Sequence, residues 1–125
     1  MLNKAILIGR LGGDPELRYM PGGQPVTSFS MATSKWHNGQ EYTEWHKCVA
    51  YGKLADVCSD RLMKGSLIYL EGRIQTRTWE TRKGEKRNTT EIILTSLKGL
   101  TKLRPRNGDG AQDNGPAGPE DDVPF

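Results

Sequence analysis

Alternation of apolar and polar positions dominates the first hundred residues. Lys4–Arg10 is a short apolar run of strand length. Pro25–Ser34 alternates, with Val26, Phe29, Met31 and Ala32 as its apolar members. Glu44–Gly52 sets Trp45, Lys47, Val49 and Tyr51 against Glu44, His46, Cys48 and Ala50. Ser66–Thr78 holds Leu67, Ile68, Tyr69, Leu70 and Ile74, and Thr89–Leu100 holds Ile92, Ile93, Leu94 and Leu97. Period-two patterning bounded by turn residues predicts a strand in each segment. The turn signals are Gly12-Gly13-Asp14-Pro15, Pro21-Gly22-Gly23, Asn38-Gly39 and Lys83-Gly84. One segment breaks the pattern. Lys53–Lys64 places Leu54, Val57, Cys58, Arg61 and Leu62 at helical spacing, and Gly65 follows as a helix stop.

The expected fold is therefore all-β with one short helix between the third and fourth of five strands. That order is the arrangement of a five-stranded OB-fold barrel, which binds single-stranded nucleic acid or oligosaccharide. From Pro105 the composition changes. Residues 105–119 are rich in Gly, Pro and Asn and contain no large apolar residue. Such a stretch cannot bury enough surface to offset the entropy of ordering, so a flexible linker is expected there. Residues 120–125 end the chain on Glu120, Asp121, Asp122, Val123, Pro124 and Phe125. This acidic tail tip with apolar anchors has the make-up of a short peptide for a basic pocket on a partner protein. The expected organisation is a 1–104 domain, a 105–119 linker and a 120–125 tip.

Charge follows the same division. Residues 1–104 carry 17 basic and 10 acidic side chains, net +7, while residues 105–125 carry one basic and five acidic, net −4. A basic body beside an acidic tail suits a polyanion-binding domain. Domains of this charge also exist that touch no nucleic acid, so charge alone leaves both readings open.

The aromatic residues narrow the choice. Trp36 lies in the polar stretch Lys35-Trp36-His37-Asn38-Gly39, and Trp79 stands just before Arg82, Lys83, Lys86 and Arg87. Both are expected to be exposed, on loops. Trp45 and Tyr51 share one strand face with Lys47 between them. That face is either a half-buried core surface or a platform on which bases stack.

Enzyme chemistry finds little support. Cys48 and Cys58 are too few for a disulfide framework, and with His37 and His46 they lack the paired spacing of a zinc site. No Gly-rich phosphate loop occurs. Asp14 with Glu16, or Asp56 with Asp60, have neither a base nor a nucleophile beside them. No catalytic residue, metal or cofactor is expected. No apolar run reaches the roughly 18 residues of a membrane span, and no leader is visible, so a cytoplasmic location is expected.

Several motifs in order closely resemble the bacterial single-stranded-DNA-binding protein family. They are Asn3–Gly12, Asp14–Tyr19, Ala32-Thr33-Ser34, Thr43-Glu44-Trp45-His46, Gly52-Lys53-Leu54-Ala55, Leu62–Ser66 and Tyr69-Leu70-Glu71-Gly72. The ending Asp121–Phe125 is similar to the family's acidic tip, with Val123 where Ile is commoner. The resemblance implies sequence-independent binding of single-stranded DNA by a homotetramer in the nucleoid. It implies partners from replication, recombination and repair recruited through Asp121, Asp122, Val123, Pro124 and Phe125. By position it implies DNA stacking on Trp36, Trp45, Tyr51 and Trp79. Phosphate contacts would fall on Lys4, Arg10, Lys35, Lys53, Lys64, Arg73, Arg77 and Arg87, and His46 would serve subunit association. Tyr51 stands where many relatives have Phe, which leaves stacking intact.

Overall fold

The computed structural model describes residues 1–104. Its elements, in chain order, are strands β1 (Ala5–Leu11), β2 (Glu16–Tyr19), β3 (Pro25–His37) and β4 (Gln40–Tyr51), helix α1 (Lys53–Arg61), and strands β5 (Leu67–Glu80) and β6 (Lys86–Thr101). Each of the five expected strands is present, and the helix begins where expected, at Lys53. The linker and the tip at residues 105–125 lie outside the described residues.

The strands run β1-β5-β6-β4-β3, and β1 also pairs with β3 at Arg10↔Ala32 and Leu11↔Met31. That pairing closes a five-stranded barrel, which removes most free sheet edges. The β4–β6 pairing is parallel and the other strand pairs are antiparallel. The additional short β2 extends the same edge of β3 that β1 uses, from Glu16↔Ser28 to Tyr19↔Pro25. β1 and β2 thus act as one strand bent at Gly12–Pro15.

Alternation decides what enters the barrel. Thr27, Phe29 and Met31 of β3, Cys48 and Ala50 of β4, Ile68 and Leu70 of β5, and Ile92, Leu94 and Leu97 of β6 are buried inside. Apart from Thr27 they form one apolar cluster, joined by Leu11, by Ala55 and Cys58 of α1 and by Leu62. The Thr27 hydroxyl donates to the Ala55 carbonyl at 2.7 Å, which ties α1 to the barrel. Among the described residues every buried side-chain N or O has a hydrogen-bond partner.

The helix ends at Arg61 rather than Lys64. Leu62 leaves helical geometry (φ −95°, ψ 151°) while its amide still donates to the Cys58 carbonyl. This turn drops the Leu62 side chain into the core, fully buried. Gly65, at φ 87°, then serves the turn into β5 rather than the helix end.

Cys48 and Cys58 are both free and buried. Burial pushes each thiol from an ordinary 9.0 up to about 12, and Cys48 adds to the effect on Cys58. A raised folded-state pKa means that the folded chain keeps these protons when the unfolded chain has lost them. Their contribution to stability is intact below pH 9 and is lost as pH climbs from about 9 to about 12. Urea midpoints measured from about pH 8 to about pH 11 should fall, and should fall less for Cys48→Ala. An equal fall in both proteins would place the alkaline sensitivity elsewhere.

Candidate nucleic-acid interface

Two hairpins extend past the barrel and carry the aromatic side chains. The first is closed by Asn38 (φ 53°) and Gly39 (φ 78°), with His37 paired to Gln40. Two central residues at positive φ make the turn whose twist matches that of the strands it joins. The register from Val26↔Tyr51 to His37↔Gln40 runs without a shift. Paired residues on antiparallel strands point the same way, so Ser28, Ser30, Ala32, Ser34 and Trp36 share one face with Trp45, Lys47, Val49 and Tyr51. Cys48 and Ala50 point into the barrel, so this face points out.

The second hairpin continues the same surface. Its turn is held by the Thr81 amide donating to the Glu85 carbonyl at 2.8 Å and the Gly84 amide donating to the Thr81 carbonyl at 2.9 Å. Val49↔Ile93 joins β4 to β6, and Arg73↔Ile93, Gln75↔Glu91, Arg77↔Thr89 and Trp79↔Arg87 join β6 to β5. The outward set is therefore Arg73, Gln75, Arg77 and Trp79 beside Arg87, Thr89, Glu91 and Ile93. The Trp79 indole donates to the Thr89 hydroxyl at 2.9 Å, which fixes the ring's tilt over β6.

All four expected stacking residues fall on this one face. They are exposed by 69% at Trp36, 60% at Trp45, 41% at Tyr51 and 43% at Trp79. Trp36 and Trp79 belong to strands, not to loops as the sequence suggested. Both strands run on past the core because cross-strand pairing holds them where burial does not. Trp45 is no core residue. Its ring lies against Gly12, where a methyl group would fall 2.4 Å from Cζ3 and 2.7 Å from Cη2. Trp45 lines an open cleft of ≈ 450 Å³ with Gly12, Gly13, Asp14, Glu16, Ser28, Phe29, Ser30 and Lys47.

The expected phosphate contacts divide. Arg73, Arg77 and Arg87 lie on the aromatic face. Arg73 donates to the Gln75 side chain at 2.7 Å, and Arg87 pairs with Glu85 at 3.0 Å. Arg10 lies in the same outward row as Ala32 and Trp45, with one guanidinium nitrogen donating to the Gly65 carbonyl at 2.9 Å. Lys53 opens α1 two residues after Tyr51, and Lys64 is exposed where its amide donates to Asp14 at 2.9 Å. Lys35 faces the opposite side of β3 from Trp36. Lys4 is paired with Glu71 at 3.2 Å, away from the aromatics. His46 holds the Thr33 hydroxyl at 2.8 Å on the inward side of the first hairpin. Lys47, Gly12 and Glu91 belong to this surface without having been expected as site residues. Alternation along β4 already places Lys47 there. Nothing in the sequence ties Gly12 or Glu91 to it.

The comparisons with known proteins agree with this geometry. Residues 2–100 match the model of the single-strand binding protein family. The chain belongs to that family. Over 120 residues it is 48% identical to single-stranded DNA-binding protein 1 of Chlorobaculum tepidum, covering 91% of this chain and 68% of that protein. The fold matches that of the Plasmodium falciparum SSB in complex with ssDNA, with TM-score 0.75 and 35% identity, covering 81% of this chain and 96% of that one. Members of this family bind DNA and are not enzymes. The aromatic face of this member joins four π surfaces to cations.

Proposed function

We propose that this chain binds single-stranded DNA without sequence specificity, by stacking bases on Trp36, Trp45, Tyr51 and Trp79. The observation that carries this reading is the placement of all four rings, with Lys47, Arg73, Arg77 and Arg87, on one outward face. Stacking tolerates any base because every base has a π face, and the cations follow the phosphates. The same reading makes the protein a nucleoid-associated factor of replication, recombination and repair. Asp121–Phe125 would then recruit partner proteins, the acids meeting a basic pocket and Val123 and Phe125 filling its apolar floor.

Self-association, as a homotetramer, is part of the proposal. Its support is a second outward surface, where Ile6 and Ile8 stand exposed on β1 beside Glu71 and Tyr69 of β5. Exposed isoleucines side by side on a sheet favour burial against another copy.

Titration of tryptophan fluorescence with dT oligomers of increasing length tests the DNA reading. Strong quenching that saturates at a defined length and weakens steeply with salt is expected. An absence of quenching at low salt would overturn the proposal and make the aromatics a protein-binding surface.

A further inference from the structure

A buried acid sits in the middle of the aromatic and basic face. Glu91 of β6 is 5% exposed although its place in the alternation points outward. Both carboxylate oxygens accept from the Nε of Arg77, at 3.3 and 3.4 Å. The Nζ of Lys47 stands 3.8 Å from one of them. Strands β4, β5 and β6 thus converge on one carboxylate. Such a group is doubly unfavourable on a polyanion-binding surface. It loses hydration, and it subtracts a charge where phosphates would lie.

The hydrogen-bond pattern shows what it contributes in return. Arg10, Arg73 and Arg87 each commit a terminal guanidinium nitrogen to a protein acceptor. Arg77 commits only Nε, and its terminal edge makes no hydrogen bond to the described residues. That edge presents two N–H-bearing nitrogens to a phosphate. Lys47 and Arg77 are each about half exposed, with side-chain accessibilities of 47% and 50%. Long side chains of this kind lose rotamer freedom when DNA immobilises them, at a cost of about two- to tenfold in affinity each. A cation ordered in advance avoids part of that loss.

We propose that Glu91 is a positioning residue of the DNA face, which orders Lys47 and Arg77 between the Trp45 and Trp79 platforms so that the strand meets fixed cations. It acts through those two side chains and touches no DNA itself. The inference rests on the single-stranded DNA reading above.

Two variants separate position from charge. Glu91→Gln removes a negative charge at nearly constant size. Glu91→Asp keeps the charge and withdraws it from Arg77. Each is titrated with dT over a range of salt, in the otherwise native chain and in Arg77→Gln, at a temperature where far-UV circular dichroism shows it folded. Positioning predicts that both variants bind about fivefold more weakly at moderate salt, despite the extra net positive charge of Glu91→Gln. It also predicts that most of that loss disappears in the Arg77→Gln background, where a general structural defect would persist. Tighter binding by Glu91→Gln with a steeper salt dependence would overturn the proposal. So would Glu91→Asp matching the native chain, or an equal loss with and without Arg77. If Glu91→Gln does not fold, Glu91→Asp and its pair with Arg77→Gln decide the matter. Native protein that is not quenched by dT overturns the DNA reading itself, a result that involves no Glu91 variant.

Discussion

Trp45→Ala is expected to weaken dT binding by about 5- to 150-fold, since one stacked base contributes ~1–3 kcal/mol. Trp45 stands between the two other tryptophan-bearing regions of the face, and it is the indole that lines the cleft beside β3. Its ring packs against Gly12 before any ligand arrives. Gly12 lies so close that a single methyl group there would meet Cζ3 at 2.4 Å. Less freedom is therefore lost when a base settles on the ring than on a side chain free in solvent. The effect should fall on binding and not on folding, because the ring is 60% exposed. The variant's unfolding free energy should stay within about 1 kcal/mol of the native value. Tyr51→Phe is the matching control. It keeps the π face, so affinity should change by less than about twofold. Quenching of Trp36 and Trp79 by dT reports the binding in each case. Unchanged affinity for Trp45→Ala would move the path of the strand away from the centre of this face.

How much of this surface could be read from the sequence depended on burial. The barrel strands were legible because an interior that takes every second side chain leaves an apolar alternation, as in Phe29 and Met31 or Cys48 and Ala50. β2 left no such mark. It is four residues long, and only Leu17 is even partly buried. The ends of the hairpins resemble loops in the sequence for a related reason. Beyond Thr33 and Arg77 both faces of the ribbons meet solvent, so neither carries an apolar stripe. Pairing alone continues the strands there, through Ser34↔Thr43 and Trp36↔Glu41 in one hairpin and Trp79↔Arg87 in the other. The stacking role of all four aromatics rests on the resemblance. The polar surroundings of Trp36 and Trp79 mark them only as exposed, and alternation puts Trp45 and Tyr51 on one face without deciding between core and platform. Glu91 had no local signature at all. An acid between Thr90 and Ile92 reads as an ordinary outward residue. Only the parallel β4–β6 pairing brings Lys47 to it, and no spacing along the chain encodes that approach. Local pattern reports which side of a strand is wet. The neighbours of a wet residue depend on how the strands are ordered.

Gly72→Ala is expected to destabilise the fold by about 3 kcal/mol, at the upper end of what overpacking costs in a tight interior. Gly72 lies beside the irregularity where the β5–β6 register steps between Glu71↔Ser96 and Gly72↔Leu94. The strands approach so closely there that a methyl group would fall 2.4 Å from the Ile93 carbonyl oxygen and 2.8 Å from Cγ2 of Ile92. The first of these atoms is backbone in the ladder, so it cannot swing aside as a side chain can. Gly9 is the parallel case at the β1–β3 closure, where the methyl group would lie 2.2 Å from the Ala32 carbonyl oxygen. Two nearby glycines calibrate the effect. At Gly13 a methyl group meets nothing within 4 Å, so Gly13→Ala should be nearly neutral. At Gly12 it meets the Trp45 ring, which can tilt, so Gly12→Ala should weaken dT binding more than it lowers stability. Urea unfolding of the series should rank Gly13→Ala closest to native, then Gly12→Ala, with Gly72→Ala and Gly9→Ala far below. Domains of this kind hold only about 5–15 kcal/mol in total, so the last two should shift the midpoint visibly. A Gly72→Ala midpoint equal to that of Gly13→Ala would mean that β5 and β6 can part at the step without loss, and that the barrel does not depend on the close approach there.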